Sequence, residues 1–186
     1  MSAPPAAAPA TRPAPPAPNV HRSVRVIKIV VNTGVGESGE ARTKAARVLE
    51  MVTHQKPVAT RSHSTNRDFG IRKGQEIGAK VTLRGATALE FLGRAFEARD
   101  KQLDVDSIDR NGNFSFGIAD YTDFTGMKYD PQIGIHGMDV SVEMGRAGFR
   151  IRARRVQSRP LPKALRSTRD ETRAFLAQSL GITLLE

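Results

Sequence analysis

Two stretches of strict alternation constrain this chain most. In Glu76–Arg84, Ile77, Ala79, Val81 and Leu83 alternate with Gly78, Lys80, Thr82 and Arg84. In the second, Met138, Val140, Val142 and Met144 alternate with Asp139, Ser141 and Glu143. A period of two puts one set of side chains on each face of a strand. Both stretches therefore predict half-buried strands, one face in a core and one in water. A third apolar run, Val24 to Asn32, is β-branched with charges at Arg25 and Lys28, and reads as another strand.

Helical signals lie between the strands. Ala41, Ala45, Val48, Leu49 and Val52 share one helical face, Glu37 and Glu40 sit at its start, and Pro57 ends it. Val58 to Arg61 reads as a short strand. Leu89, Leu92 and Phe96 mark a second helix from Ala86 to about Arg99. Asn113 to Ile118 reads as a short strand after an Asn111-Gly112 turn. Residues 62–74 and 119–136 read as loops. Gly145-Arg146-Ala147-Gly148 reads as a turn, and Phe149 to Arg154 as the return strand of a hairpin. Arg150, Arg152 and Arg154 would then line its outward face. Thr168 and Glu171 fit a capping box for a last helix, which Gly181 ends. The order predicts an α+β fold with a mainly antiparallel sheet. Helices pack on one face, and the open face is basic, as in an RRM-like or ferredoxin-like variant.

Residues 1–18 hold seven Pro and seven Ala. Proline blocks helix and donates no hydrogen bond, so residues 1–20 are expected to be a disordered tail. Residues 21–186 are expected to form a single domain, near the usual size of about 150 residues. At 39% hydrophobic the chain can build a core, and with no Trp that core is largely aliphatic. Zero Cys excludes disulfides, thiolate metal sites and a cysteine nucleophile. No apolar run approaches the ~20 residues of a membrane helix, and no apolar leader is visible. The expectation is a soluble, intracellular protein.

The net charge of +10 is unevenly placed. Residues 22–100 carry 15 basic and 8 acidic side chains, 101–145 carry 3 and 8, and 146–173 carry 10 and 2. Ten cations in 28 residues repel one another unless an anion neutralises them, which points to a polyanion. Lys80, Thr82 and Arg84 share the open face of one strand. Arg61, Arg67, Arg72 and Lys73 flank a loop carrying Phe69. Arginine suits bidentate phosphate contacts, and an exposed Phe can stack on a base. Phe69 serves equally well as a small core anchor of its loop.

Other motifs carry less. Gly34-Val35-Gly36-Glu37-Ser38-Gly39 matches GxGxxG between a strand and a helix. The acidic residue a dinucleotide fold needs about 20 positions on is missing, since Pro57 to Ser64 holds no carboxylate. A tight turn and a backbone-amide loop that meets an RNA phosphate both remain open. His21, His54, His63 and His136 lack metal-ligand spacing, so no metal or cofactor is expected. No GxSxG elbow accompanies the serines. Asp104, Asp106 and Asp109 lack the glycine and closing glutamate of a calcium loop.

Several blocks then occur in a telling order. They are Val30-Val31-Asn32-Thr33-Gly34-Val35-Gly36-Glu37, His54-Gln55-Lys56-Pro57, Arg67 to Gly74 (RDFGIRKG), Ile77 to Gly85, Gly112-Asn113-Phe114-Ser115-Phe116-Gly117 and Gly137-Met138-Asp139-Val140. Over residues 22–175 the chain resembles the universal large-subunit ribosomal protein five family, the 5S rRNA-binding protein of the central protuberance, in its archaeal form. Bacterial members carry a helix before the first strand where this chain has its Pro/Ala segment, so no contact of that helix carries over.

The resemblance implies a cytoplasmic, ribosomal, structural protein and no catalysis. Its partners would be 5S rRNA, large-subunit rRNA, other large-subunit proteins, a small-subunit head protein at an intersubunit bridge, and P-site tRNA. It implies that Asn32, Thr33, Gly34 and Gly36, with Gln55, Lys56 and Pro57, face rRNA. Arg61, Lys80, Thr82 and Arg84 join them on the same sheet face, and Arg150, Arg152 and Arg154 meet rRNA as well. Arg67, Phe69, Arg72 and Lys73 fall in the family's loop near tRNA. Asp109, Arg110, Asn111, Tyr129, Asp130 and His136 fall on the bridging side. The alternatives are a nucleotide-binding enzyme using Gly34–Gly39 and a generic RNA-binding module.

Overall fold

The computed structural model describes residues 22–36 and 39–185. The expected tail, His21, and Glu37 and Ser38 of the Gly34–Gly39 stretch lie outside them. The elements are β1 (Arg25–Gly34), α1 (Glu40–Thr53), β2 (Val58–Arg61), β3 (Glu76–Leu83), α2 (Ala86–Glu97), β4 (Gln102–Asp104), β5 (Phe114–Ile118), β6 (Met138–Gly145), α3 (Arg150–Ala153), α4 (Arg169–Leu180) and β7 (Thr183–Leu185).

The expected α+β architecture is present. Five strands form one sheet in the order β2-β3-β1-β6-β5, and every neighbouring pair is antiparallel. Register aligns the apolar sets across strands. Val81, Val31 and Val140 form one cross-strand row, and Leu83, Ile29 and Val142 the next. All six are buried, on the face that α1 and α2 cover. Phe96 of α2 stacks on Phe116 of β5 at 4.8 Å and lies 6.1 Å from Phe114.

The helices follow their sequence patterns with small differences. In α1, Ala45, Val48, Leu49 and Val52 are buried, as their spacing requires. The helix stops at Thr53, before Pro57, because His54 turns left-handed (φ 55°) and donates its N–H to Glu50 O. In α2 the buried stripe is Ala88, Phe91, Leu92, Ala95 and Phe96. Leu89, expected on that stripe, is 48% exposed at its edge. At α4, Thr168 Oγ1 accepts from the Glu171 N–H while the Glu171 carboxylate accepts from the Thr168 N–H. Removing this cap by Thr168→Ala lowers the unfolding free energy by about 1 kcal/mol, read from urea melts. A loss below about 0.2 kcal/mol would mean that the cap does not hold α4.

The structure corrects three expectations. Arg150, Arg152 and Arg154 do not form a hairpin strand. The chain turns at Gly148, and Arg150–Ala153 make a single helical turn. The reason is edge occupancy: β6 is already paired with β1 on one side and β5 on the other, so a return strand has no free edge. Residues 62–74 are more ordered than a plain loop. Ser62 N–H donates to Gln75 O, Gly74 N–H donates to Ser62 O, and Asn66 and Ile71 exchange backbone bonds, so β2 and β3 continue into a narrow hairpin. Its tip residue Phe69 is 75% exposed, which removes the core-anchor reading. A parallel pair, β4 with β7, is absent from the sequence reading; strands of three residues are too short to show a period.

Candidate nucleic-acid interface

The sheet face opposite the helices is uncovered, and register sets what it displays. Val58, Lys80, Asn32 and Asp139 form one cross-strand row. Thr82, Val30, Ser141 and Ser115 form the next. Lys80 and Arg84 are exposed and have no ion pair among the described residues. On β1, Lys28 meets Glu143 of β6 at 3.0 Å. The face therefore carries free cations at Lys80 and Arg84, and a charge-paired Glu143 on β6. At Gly78 the neighbouring strands leave no room for a side chain: a Cβ there would lie 2.7 Å from Thr33 O and 2.8 Å from Thr60 Oγ1.

The other predicted rRNA residues arrange around this face. Gln55 and Lys56 are exposed and lead through Pro57 into Val58, the cross-strand partner of Lys80. Arg61 is exposed but shares Glu76 with Arg42, at 3.3 and 3.4 Å, so its charge is partly answered. Gly34 and Gly36 sit where β1 ends, and Gly36 uses a positive φ of 79°. The N–H groups of Val35 and Gly36 both donate to Ile77 O, at 3.1 and 3.0 Å. Those two amides are spent on the protein and are not offered to a phosphate, so for them the tight-turn reading holds. Thr33 is a further correction. It shares the parity of Ile29 and Val31, so its side chain turns inward and is 3% exposed.

The remaining groups lie at the two ends of the sheet. At one end are the turn after β1, the 62–74 hairpin and the 128–137 loop that feeds β6. Here Arg67, Phe69, Arg72 and Lys73 are all exposed around the hairpin tip. Tyr129 is 56% exposed, Asp130 accepts from the Gln132 N–H, and His136 Nε2 lies 3.2 Å from Ile133 O. At the other end are the start of β1, Arg84, the chain after β6, and the Asp109–Asn113 turn that feeds β5. Asp109, Arg110 and Asn111 are exposed there, with Asp109 capping its own turn through the Arg110 N–H at 2.6 Å. The six residues expected at a bridge are thus split into two groups of three. The length of β5, about 16 Å at ~3.3 Å per residue, separates them.

Arg150 and Arg152 sit at this second end. Arg152 pairs with Glu143 at 2.8 Å, and Arg154 donates to Gln157 O at 3.0 and 2.9 Å. Sequence reasoning missed Arg25 and Lys28 here, although the outward parity of Lys28 in β1 was a usable signal. No cluster of His, Asp and Glu suited to a metal occurs among the described residues.

These features define an α+β protein whose antiparallel sheet is covered by helices on one face and displays exposed cations on the other. A family model described as ribosomal protein L5 matches residues 19–72, and one described as the ribosomal L5P family C-terminus matches residues 76–178. The large ribosomal subunit protein uL5 of Picrophilus torridus is 49% identical over 168 residues, 90% of this chain and 96% of that protein. The uL5 proteins of Thermoplasma acidophilum and Aeropyrum pernix are each 47% identical. They cover 90% and 88% of this chain, and 99% and 86% of their own lengths. The chain belongs to the uL5 family of large-subunit ribosomal proteins, archaeal type. Its role is structural rather than enzymatic, and its place is the ribosome in the cytoplasm.

Proposed function

We propose that this protein binds 5S rRNA through the open sheet face and holds it in the central protuberance, with residues 21–186 acting as one binding unit. The carrying observation is the pair Lys80 and Arg84, on β3 and just after it: exposed, free of ion pairs among the described residues, and beside Asn32 of β1 and the Gln55-Lys56 segment that leads into β2. Charges with no internal partner are available to phosphates, and the neighbouring amide side chains can read base edges. The hairpin tip, with Phe69 held out among Arg67, Arg72 and Lys73, is suited to stack on a nucleotide of P-site tRNA. The loop bearing Tyr129, Asp130 and His136 shares that end of the sheet and faces the small-subunit head protein. Asp109, Arg110 and Asn111 offer a second, separate contact point.

The test is binding of the purified protein to a 5S rRNA transcript and to a length-matched control RNA at two salt concentrations. The expected preference for 5S rRNA is ~100-fold or more near physiological salt. Equal binding to both RNAs would reduce the protein to a general RNA binder and remove the support for these site assignments.

A further inference from the structure

At the second end of the sheet, β1, β6 and α3 enclose a cleft of about 460 Å³. Arg25, Lys28, Arg84, Arg146, Arg150 and Arg152 line it, and Glu143 is the one carboxylate among its lining residues. Arg146 is committed elsewhere, to Glu171. Arg25, Arg84 and Arg150 have no ion pair among the described residues. Glu143 takes the remaining two cations at once, Lys28 Nζ at 3.0 Å and Arg152 Nη2 at 2.8 Å. Arg152 also lies over the Phe149 ring, 5.9 Å from its centroid, which holds the guanidinium at the cleft wall. So a half-buried carboxylate sits between a lysine and an arginine, in a cleft otherwise lined by cations.

We infer that Glu143 stands in for an RNA phosphate: in the free protein its carboxylate occupies the cationic cleft, and an RNA phosphodiester displaces it from Lys28 and Arg152. This rests on the RNA-binding reading above and adds a control to it. Carboxylate and phosphodiester are both oxygen anions that accept from the same ammonium and guanidinium donors. Solvent-accessible ion pairs of this kind contribute little, so the exchange costs little once other phosphates already lie on Arg25, Arg84 and Arg150. A weak encounter that engages only one phosphate gains nothing there, because the carboxylate already neutralises the site.

The experiment compares the full chain with Glu143→Gln, binding a 5S rRNA transcript and a control RNA across a salt series. Glu90→Gln is the control variant. It makes the same change in net charge on the exposed surface of α2, on the helix-covered side of the sheet. Freeing the two cations from a solvent-accessible carboxylate costs up to about fivefold in affinity. Glu143→Gln is expected to tighten binding to both RNAs by about that factor and to leave the salt slope unchanged, because the same phosphate is engaged in both proteins. Glu90→Gln is expected to stay within about twofold. A weaker affinity in Glu143→Gln would mean that the carboxylate positions the cations rather than competing with RNA, and would overturn the inference. An unchanged affinity would overturn it too, as would an equal gain from Glu90→Gln. Should Glu143→Gln fold poorly, Glu143→Thr, which suits a strand beside Ser141, carries the same expectation. A wild-type protein without preference for 5S rRNA would sink the parent reading separately, since the Glu143 effect is measured on both RNAs.

Discussion

Phe96→Ala is expected to lower the unfolding free energy by about 3–5 kcal/mol, the usual cost of removing a buried ring from a packed core. Phe96 is 2% exposed, stacks on Phe116 at 4.8 Å and lies 6.1 Å from Phe114. It joins α2 to β5, the edge strand farthest from β2. Alanine would leave a cavity lined by two rings that the sheet register holds in place. Leu89→Ala is the internal comparison, since sequence spacing puts Leu89 and Phe96 on one stripe. Leu89 is 48% exposed, so its truncation is expected to cost under ~1 kcal/mol. Urea denaturation of both variants measures the contrast. Equal costs would mean that α2 is rotated relative to the sheet from the packing described above.

The larger functional effect belongs to Lys80→Ala combined with Arg84→Ala. Both side chains are exposed, Lys80 on β3 and Arg84 just after its end, two residues either side of Thr82, and neither is paired among the described residues. Losing two phosphate contacts is expected to weaken 5S rRNA binding by about 25- to 60-fold at ~0.1 M salt, and to flatten the salt slope by about 1.4–1.8. The fold is expected to stand, because exposed substitutions usually move stability by no more than about 0.5 kcal/mol. Arg61→Ala is expected to do less, since Glu76 already offsets part of its charge at 3.3 Å. An unchanged affinity and slope in the double variant would refute the assignment of this sheet face to RNA.

The elements that were legible in advance are those whose evidence lies within a few residues. The alternation around Val81 and around Val140 predicted β3 and β6 to within a residue or two of their observed ends. The Thr168–Glu171 capping box and the left-handed Gly181 are local chemistry and appear as expected. The ordered blocks from Val30 to Val140 carried the family resemblance, and matches across most of the chain now establish it. Even Thr33 was readable, because its parity with Ile29 and Val31 already implied an inward side chain. Of the site itself, the exposure of Lys80, Thr82 and Arg84 follows from period two alone.

Tertiary pairing decided the rest. Residues 149–154 alternate as well as any strand, yet they form a helical turn because β1 and β5 occupy both edges of β6. The six residues from Asp109 to His136 expected at a bridge fall in one acidic segment of the chain, but antiparallel pairing of β5 with β6 sends their two groups to opposite ends of the sheet. Glu143 looks like one more outward residue of an alternating strand until Lys28 and Arg152 arrive from distant parts of the chain. Side-chain direction is a local property, fixed residue by residue by backbone geometry. The occupancy of a strand's edges and the company a charge keeps depend on which distant segments pair, and that was determined only when the sheet closed around its core.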